Sequence, residues 1–171
     1  MYAGWAILLL CIVLLWPGLS RAGAAPQYAG SAVCITCHAD EGRRWQASHH
    51  AKAMQPALDS TVLGDFRDVR FAAQGREVRF FRRGAGFFIR TEGPDGKVGD
   101  FPVTHTFGVH PLQQYLIPLP GGRLQAFDIA WDTRSPAEGG QRWFTLAPHE
   151  KARPGEALHW TGRELNWNFM C

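Results

Sequence analysis

The chain has 171 residues, of which 46% are hydrophobic and 19% charged, proportions ordinary for a soluble globular protein able to pack a core. A formal charge of +3 with no long basic block argues against a nucleic-acid partner. The length suggests one domain with an appended segment, and neither internal repeats nor low-complexity tracts interrupt it.

The first element is apolar. "AGWAILLLCIVLLWPGLS" carries no charge, and Ala22 and Ala24 in the "AGA" that follows match the small-x-small cleavage pattern of an export signal. Residues 1–24 are therefore expected to be a signal peptide, with a mature chain starting near Ala25 in a periplasmic or otherwise extracytoplasmic compartment. No Lys or Arg precedes the apolar run, so an uncleaved anchor associated with the membrane is the competing reading. Against it, the run falls short of the roughly 20 residues a spanning helix needs, and Pro17 interrupts its end. Cys11 follows Leu10 instead of a small residue and reads as filler of the apolar run.

The next element is helical in composition. "HADEGRRWQASHHAKAMQPAL" is rich in Ala, Gln, Arg and Lys and free of proline until Pro56, which predicts a helix over 37–57 within a first segment, 25–66. From residue 67 the texture changes. "REVRFFRR", "GFFIRTE", "DFPVTHTFGV", "LQQYLIPL" and "RLQAFDIAW" read as strands, with turns at "GPDGK" and "PGG". Short connections imply an antiparallel meander. In the tail, "SPAEGG" and "ARPGE" are loop-like and "GRELNWNFMC" opens a last helix. The expected fold class is α+β: a helical N-terminal segment followed by an antiparallel sheet region over 67–171, with the final helix cut short.

Three cysteines remain beyond the leader: Cys34, Cys37 and Cys171. They cannot all pair within one chain. "CITCH" at 34–38 matches C-x-x-C-H, the attachment signature of c-type haem. The spacing has a mechanical basis, because thiols three positions apart can add to two vinyl groups on one porphyrin edge. The next histidine can then reach the iron. Cys34 and Cys37 are the candidate covalent anchors and His38 the candidate proximal ligand. A structural zinc site would need four ligands at short spacing. A redox C-x-x-C belongs beside a βαβ pattern, and a plain disulfide leaves His38 unexplained. Export agrees with haem attachment, an extracytoplasmic chemistry.

Other histidines are His49, His50, His105, His110, His149 and His159. If 38–54 is one helix, His49 shares a face with His38 but lies about 16 Å along the axis. Axial nitrogens of one iron are only about 4 Å apart. His49 or His50 then serves a second haem unless the helix breaks; an exposed polar patch is the bland alternative. A second haem needs its own motif, and Cys171 after a Trp-rich lead-in looks like the first letter of one. His159, near Trp160 and Trp167, is a candidate axial or haem-edge residue, against ordinary aromatic core. His110 reads as a strand cap, His105 as half-buried in a strand and His149 as a loop residue. Met54 is a thioether ligand or core. Arg67, Arg70, Arg76, Arg79, Arg82, Arg83 and Arg90 alternate with apolar residues as the solvated face of a half-buried sheet; the sharper alternative is that one or two bind haem propionates.

"YAGSAVCITCHADEGRRWQASHHAKAMQPA", "VLGDF", "FFIRTEGPDGK", "FGVHPLQQYL", "PGGRLQAFDIAWDTR", "GGQRWF" and "LHWTGRELNWNFMC" together resemble multihaem c-type cytochromes of the tetrahaem nitrification-carrier type, in particular exported members fused to tetratricopeptide repeats. The resemblance spans nearly all of 28–171. It implies a first haem on Cys34, Cys37 and His38, an iron-ligating role for His50 in "HHAKAM", and Cys171 as the first thiol of a further haem motif. This chain would then be an N-terminal piece of a longer protein. The expected function is electron transfer with redox partner proteins, which requires no chemical transformation by the polypeptide. A multihaem oxidoreductase acting on small nitrogen compounds and a partner-binding scaffold with a structural haem are the alternatives. One departure is plain: the family carries several haems, and this chain holds one complete motif.

Overall fold

A computed structural model describes residues 27–149 and 151–170. The expected signal peptide and Cys171 lie outside the described residues. Two compact units divide the chain, one ending at Gly42 and one running from Arg43.

In the first unit, helix α1 (Ser31–Ile35) leads through a tight turn into the start of helix α2, which spans Ala39–Ala47 and so runs past Gly42. The two helices close on each other at Ile35 and Gly42. A Cβ added at Gly42 would lie 2.5 Å from Cγ1 of Ile35, so the absence of a side chain there permits the contact.

The second unit is a pair of antiparallel sheets. Strands β1 (Met54–Pro56), β6 (His105–Phe107), β7 (Leu112–Leu119), β8 (Arg123–Ala126), β9 (Ile129–Asp132) and β10 (Arg142–Thr145) form a six-stranded sheet. The main path runs β1-β6-β7-β9-β10, and β8 pairs with β7 beside it. Strands β2 (Val69–Ala73), β3 (Arg76–Arg83), β4 (Gly86–Glu92) and β5 (Val98–Val103) form a four-stranded sheet in sequential order. Alternation supplies the facing surfaces. Val78 and Phe80 of β3, Phe87 and Ile89 of β4 and Val103 of β5 join one buried cluster with Tyr115 and Ile117 of β7, Ile129 and Trp131 of β9 and Trp143 of β10. Gly121 and Gly122, with φ of 80° and 75°, make the β7–β8 turn with backbone that side chains disfavour.

The expected α+β arrangement, a helical N-terminal segment feeding one meander and a last helix, is overturned. The architecture is mainly β, in two sheets. The helix expected over 37–57 ends at Ala47, where the Ser48 hydroxyl donates back to the Trp45 carbonyl at 2.5 Å. Met54–Pro56 then joins the sheet by pairing with Phe107, Thr106 and His105. That long-range pairing outweighs the weak local preference for helix. The single expected strand in "DFPVTHTFGV" is broken at Thr104, whose N–H donates to the Leu116 carbonyl while its own carbonyl accepts from Ala57. There the chain leaves one sheet and enters the other. At the tail, Arg142–Thr145 is a strand, and the last helix, α3 (Trp167–Met170), has four residues. Among the described residues no helix is long and apolar enough to cross a membrane.

Candidate functional site

Cys34 sits near the end of α1, and Cys37 and His38 lie in the turn that follows. The N–H groups of Cys37 and His38 both donate to the Cys34 carbonyl, at 3.3 and 3.0 Å. Thr36 locks the same turn by donating its hydroxyl to the Val33 carbonyl at 2.6 Å. His38 immediately precedes α2, its carbonyl accepting from Gly42 N–H at 2.9 Å. Both thiols are free and exposed, and the His38 side chain is exposed. The segment thus presents two unbridged sulfurs about one helical turn apart and then an imidazole. Among the described residues no three of His, Cys, Asp or Glu gather as a direct metal site would require. A porphyrin makes no such demand, because only the imidazole binds iron while the sulfurs bond to the ring periphery. The donor set fits a covalently attached haem.

The other histidines are scattered. His49 and His50 lie in exposed turn structure after α2, so the axial rise that separated His49 from His38 on one continuous helix does not apply. The rings of His49 and His110 approach each other, with centroids 6.2 Å apart and planes tilted by 50°. His105 is half-buried in β6, its Nδ1 3.1 Å from Thr104 Oγ1. His149 is exposed in a loop. Met54 is half-buried in β1 opposite Phe107.

His159 is buried. Thr161 N–H donates to its Nδ1 at 3.3 Å, with Thr161 Oγ1 2.7 Å away; the neutral ring therefore carries its proton on Nε2. That Nε2 has no hydrogen-bond partner among the described residues. Burial pushes the pKa of His159 down, the Arg76 charge adds to this, and Asp128, Glu92 and Glu156 oppose it. The space beside the ring is a cavity of about 80 Å³ shared with Arg76 and Asp128. Cofactor pockets run to roughly 300–1,000 Å³, so seating a haem against His159 requires the surrounding segment to open.

Every arginine of the notable run has a carboxylate. Arg70 meets Glu77 at 2.7 Å, Arg67 meets Asp65 at 2.8 Å, and Arg82 meets Asp59 at 2.6 Å. Arg90 and Arg83 share Asp100 at 2.6 and 2.5 Å, and Arg79 pairs with Asp68. These guanidinium groups hold Asp65, Asp68 and Asp100 below the usual carboxylate range. The face is a mosaic of opposite charges, not a positive patch. Arg76 is the exception in position. It turns inward, pairs with buried Asp128 and lies over the Phe127 ring. Sequence reasoning grouped it with the solvated face, yet its parity with Val78 and Phe80 was the available signal.

No family model, curated protein or solved structure matches the chain. The reading of the site therefore rests on the residues themselves.

Proposed function

We propose that the chain is part of an exported c-type cytochrome that transfers electrons through a haem held at Cys34, Cys37 and His38. The observation that carries this reading is the C-x-x-C-H turn, with two free, exposed thiols and an exposed histidine just before the next helix. Each thiol adds across a vinyl double bond: a sulfur–carbon bond forms, the thiol hydrogen goes to the neighbouring carbon, and no oxidant is consumed. His38 offers an imidazole nitrogen to the iron. Tyr28 and Val33 of the same unit are 100% and 60% exposed, apolar side chains available to cover a flat ring. Bound there, the group supplies one-electron chemistry at its iron. The polypeptide's part is to anchor, orient and screen it. Redox partner proteins in an extracytoplasmic compartment follow from this reading and from the leader-like first residues.

Expression in a host equipped for cytochrome maturation tests the proposal. Denatured chain should gain the mass of one tetrapyrrole at this motif, and dithionite should produce a sharp red-region band. Replacing Cys34 and Cys37 by serine should abolish the covalent mass. A mature protein of unmodified mass would overturn the reading.

A further inference from the structure

His49 and His110 come from distant parts of the sequence, and backbone contacts bring them together. Lys52 N–H donates to the His49 carbonyl at 3.1 Å, closing the turn after α2. Gly108 N–H donates to the Ala53 carbonyl at 2.8 Å, beside the β1–β6 pairing of Met54 with Phe107. Beyond His110, Thr133 N–H donates to the Pro111 carbonyl at 2.9 Å. The two rings are therefore held by the backbone on either side of one seam. Both side chains are exposed, their rings approach to 6.2 Å, and the Glu138 carboxylate is within electrostatic reach of His110.

We propose that His49 and His110 together ligate one divalent ion of the Cu²⁺ or Zn²⁺ class. With metal–nitrogen bonds of about 2.0–2.1 Å, two imidazole ring centres lie roughly 5 Å apart at a tetrahedral angle and roughly 6.4 Å apart when trans, so the observed 6.2 Å fits a wide, near-trans pair of the kind tetragonal Cu²⁺ accepts. Borderline-soft ions of this class favour imidazole, whereas Mg²⁺ and Ca²⁺ favour oxygen. Thr133 Oγ1 lies 3.4 Å from His110 Nδ1, which engages one nitrogen and leaves Nε2 for the ion, the usual division of labour in a ligating histidine. Exposure leaves the remaining coordination positions to water. With two protein ligands the order of affinity should follow the Irving–Williams series, Cu²⁺ above Zn²⁺. The bound ion would tie the turn over 48–53 to the loop over 108–111. This site is independent of the haem proposal and uses none of its residues.

The test uses the full chain with both Cys34 and Cys37 replaced by serine and all remaining thiols alkylated, so neither haem nor sulfur competes. Titration with Zn²⁺ by calorimetry and with Cu²⁺ by electron paramagnetic resonance should give one ion per chain, with nitrogen hyperfine structure for copper. His49→Ala and His110→Ala should each weaken binding by roughly tenfold or more. His50→Ala and His149→Ala should leave it unchanged. The proposal falls if no stoichiometric ion binds. It also falls if binding survives both His49→Ala and His110→Ala, or if His50→Ala removes it.

Discussion

Phe80 of β3 and Trp143 of β10 stack face to face across the two sheets, with ring centroids 3.6 Å apart and planes 6° from parallel. Phe66 closes the pair edgewise, 5.7 Å from Phe80 and 5.5 Å from Trp143, and the Trp143 indole N–H donates to the Asp65 carbonyl at 3.2 Å. One aromatic cluster thus joins a strand of each sheet to the loop that precedes β2. Trp143→Ala should destabilise the fold by about 3–5 kcal/mol. Trp143→Phe keeps an apolar ring and should cost much less, with the lost hydrogen bond contributing about 1 kcal/mol. Urea unfolding of both variants measures this; near-equal losses would show that ring stacking is not the main contribution.

Arg76 and Asp128 form an ion pair with side chains only 12% and 11% exposed. Removing one partner leaves the other charge largely buried without its counter-ion, and one carboxylate oxygen already has no partner among the described residues. Arg76→Met should cost about 3–5 kcal/mol. The double variant Arg76→Met with Asp128→Leu should recover much of that loss, because the buried pair attracts little more than its desolvation costs. A double variant no more stable than the single one would mean that the cluster with His159 acts as a unit.

The reach of sequence reasoning follows the range of the interactions. Strands β3 and β4 were legible because Val78, Phe80, Phe87 and Ile89 alternate with polar residues, a signal confined to each strand. The second sheet was not legible, because its separation depends on the break at Thr104, and that is fixed by bonds to Leu116 and Ala57. Strand β1 looked helical from its neighbours and has only three residues, so its partner β6 decides its state. β10 was hidden in a segment that its flanking glycines made look like a loop. The same division holds for the candidate site. Cys34, Cys37 and His38 announce themselves through local spacing, whereas the approach of His49 to His110 exists only after β1 has paired with β6.

Acid should act on the fold through its paired carboxylates. Arg134 donates to both oxygens of Asp132, at 3.0 and 2.6 Å, and holds that carboxyl down at about 2. A carboxylate with a depressed folded pKa contributes stability that is fully present above its unfolded value, near 4, and is lost as pH falls through the folded value. Arg134→Gln should therefore lower Tm by a constant amount above about pH 5. Towards pH 2 the difference from wild type should shrink as both proteins protonate Asp132. A pH-independent difference would place the role of Arg134 outside this ion pair.

Gly42 gives a handle on the C-x-x-C-H turn that leaves its cysteines and histidine in place. A Cβ there would come within 2.5 Å of Ile35 Cγ1 and 3.2 Å of Cδ1 and Cγ2. Ile35 is β-branched and has few rotamers in which to retreat, so Gly42→Ala should push α1 from α2. Cys34 lies on α1 and His38 immediately precedes α2, so their separation should change with it. If haem attachment needs the turn as described, the fraction of matured chain carrying the added tetrapyrrole mass should fall in Gly42→Ala. Adding Ile35→Ala removes the clashing atoms and should restore it. Circular dichroism of the unmatured chains separates this from general unfolding, since the β signal should be unchanged in both variants. Attachment that is indifferent to Gly42→Ala, or lost and not rescued by Ile35→Ala, would mean that the packing of these two helices does not set the geometry of the turn.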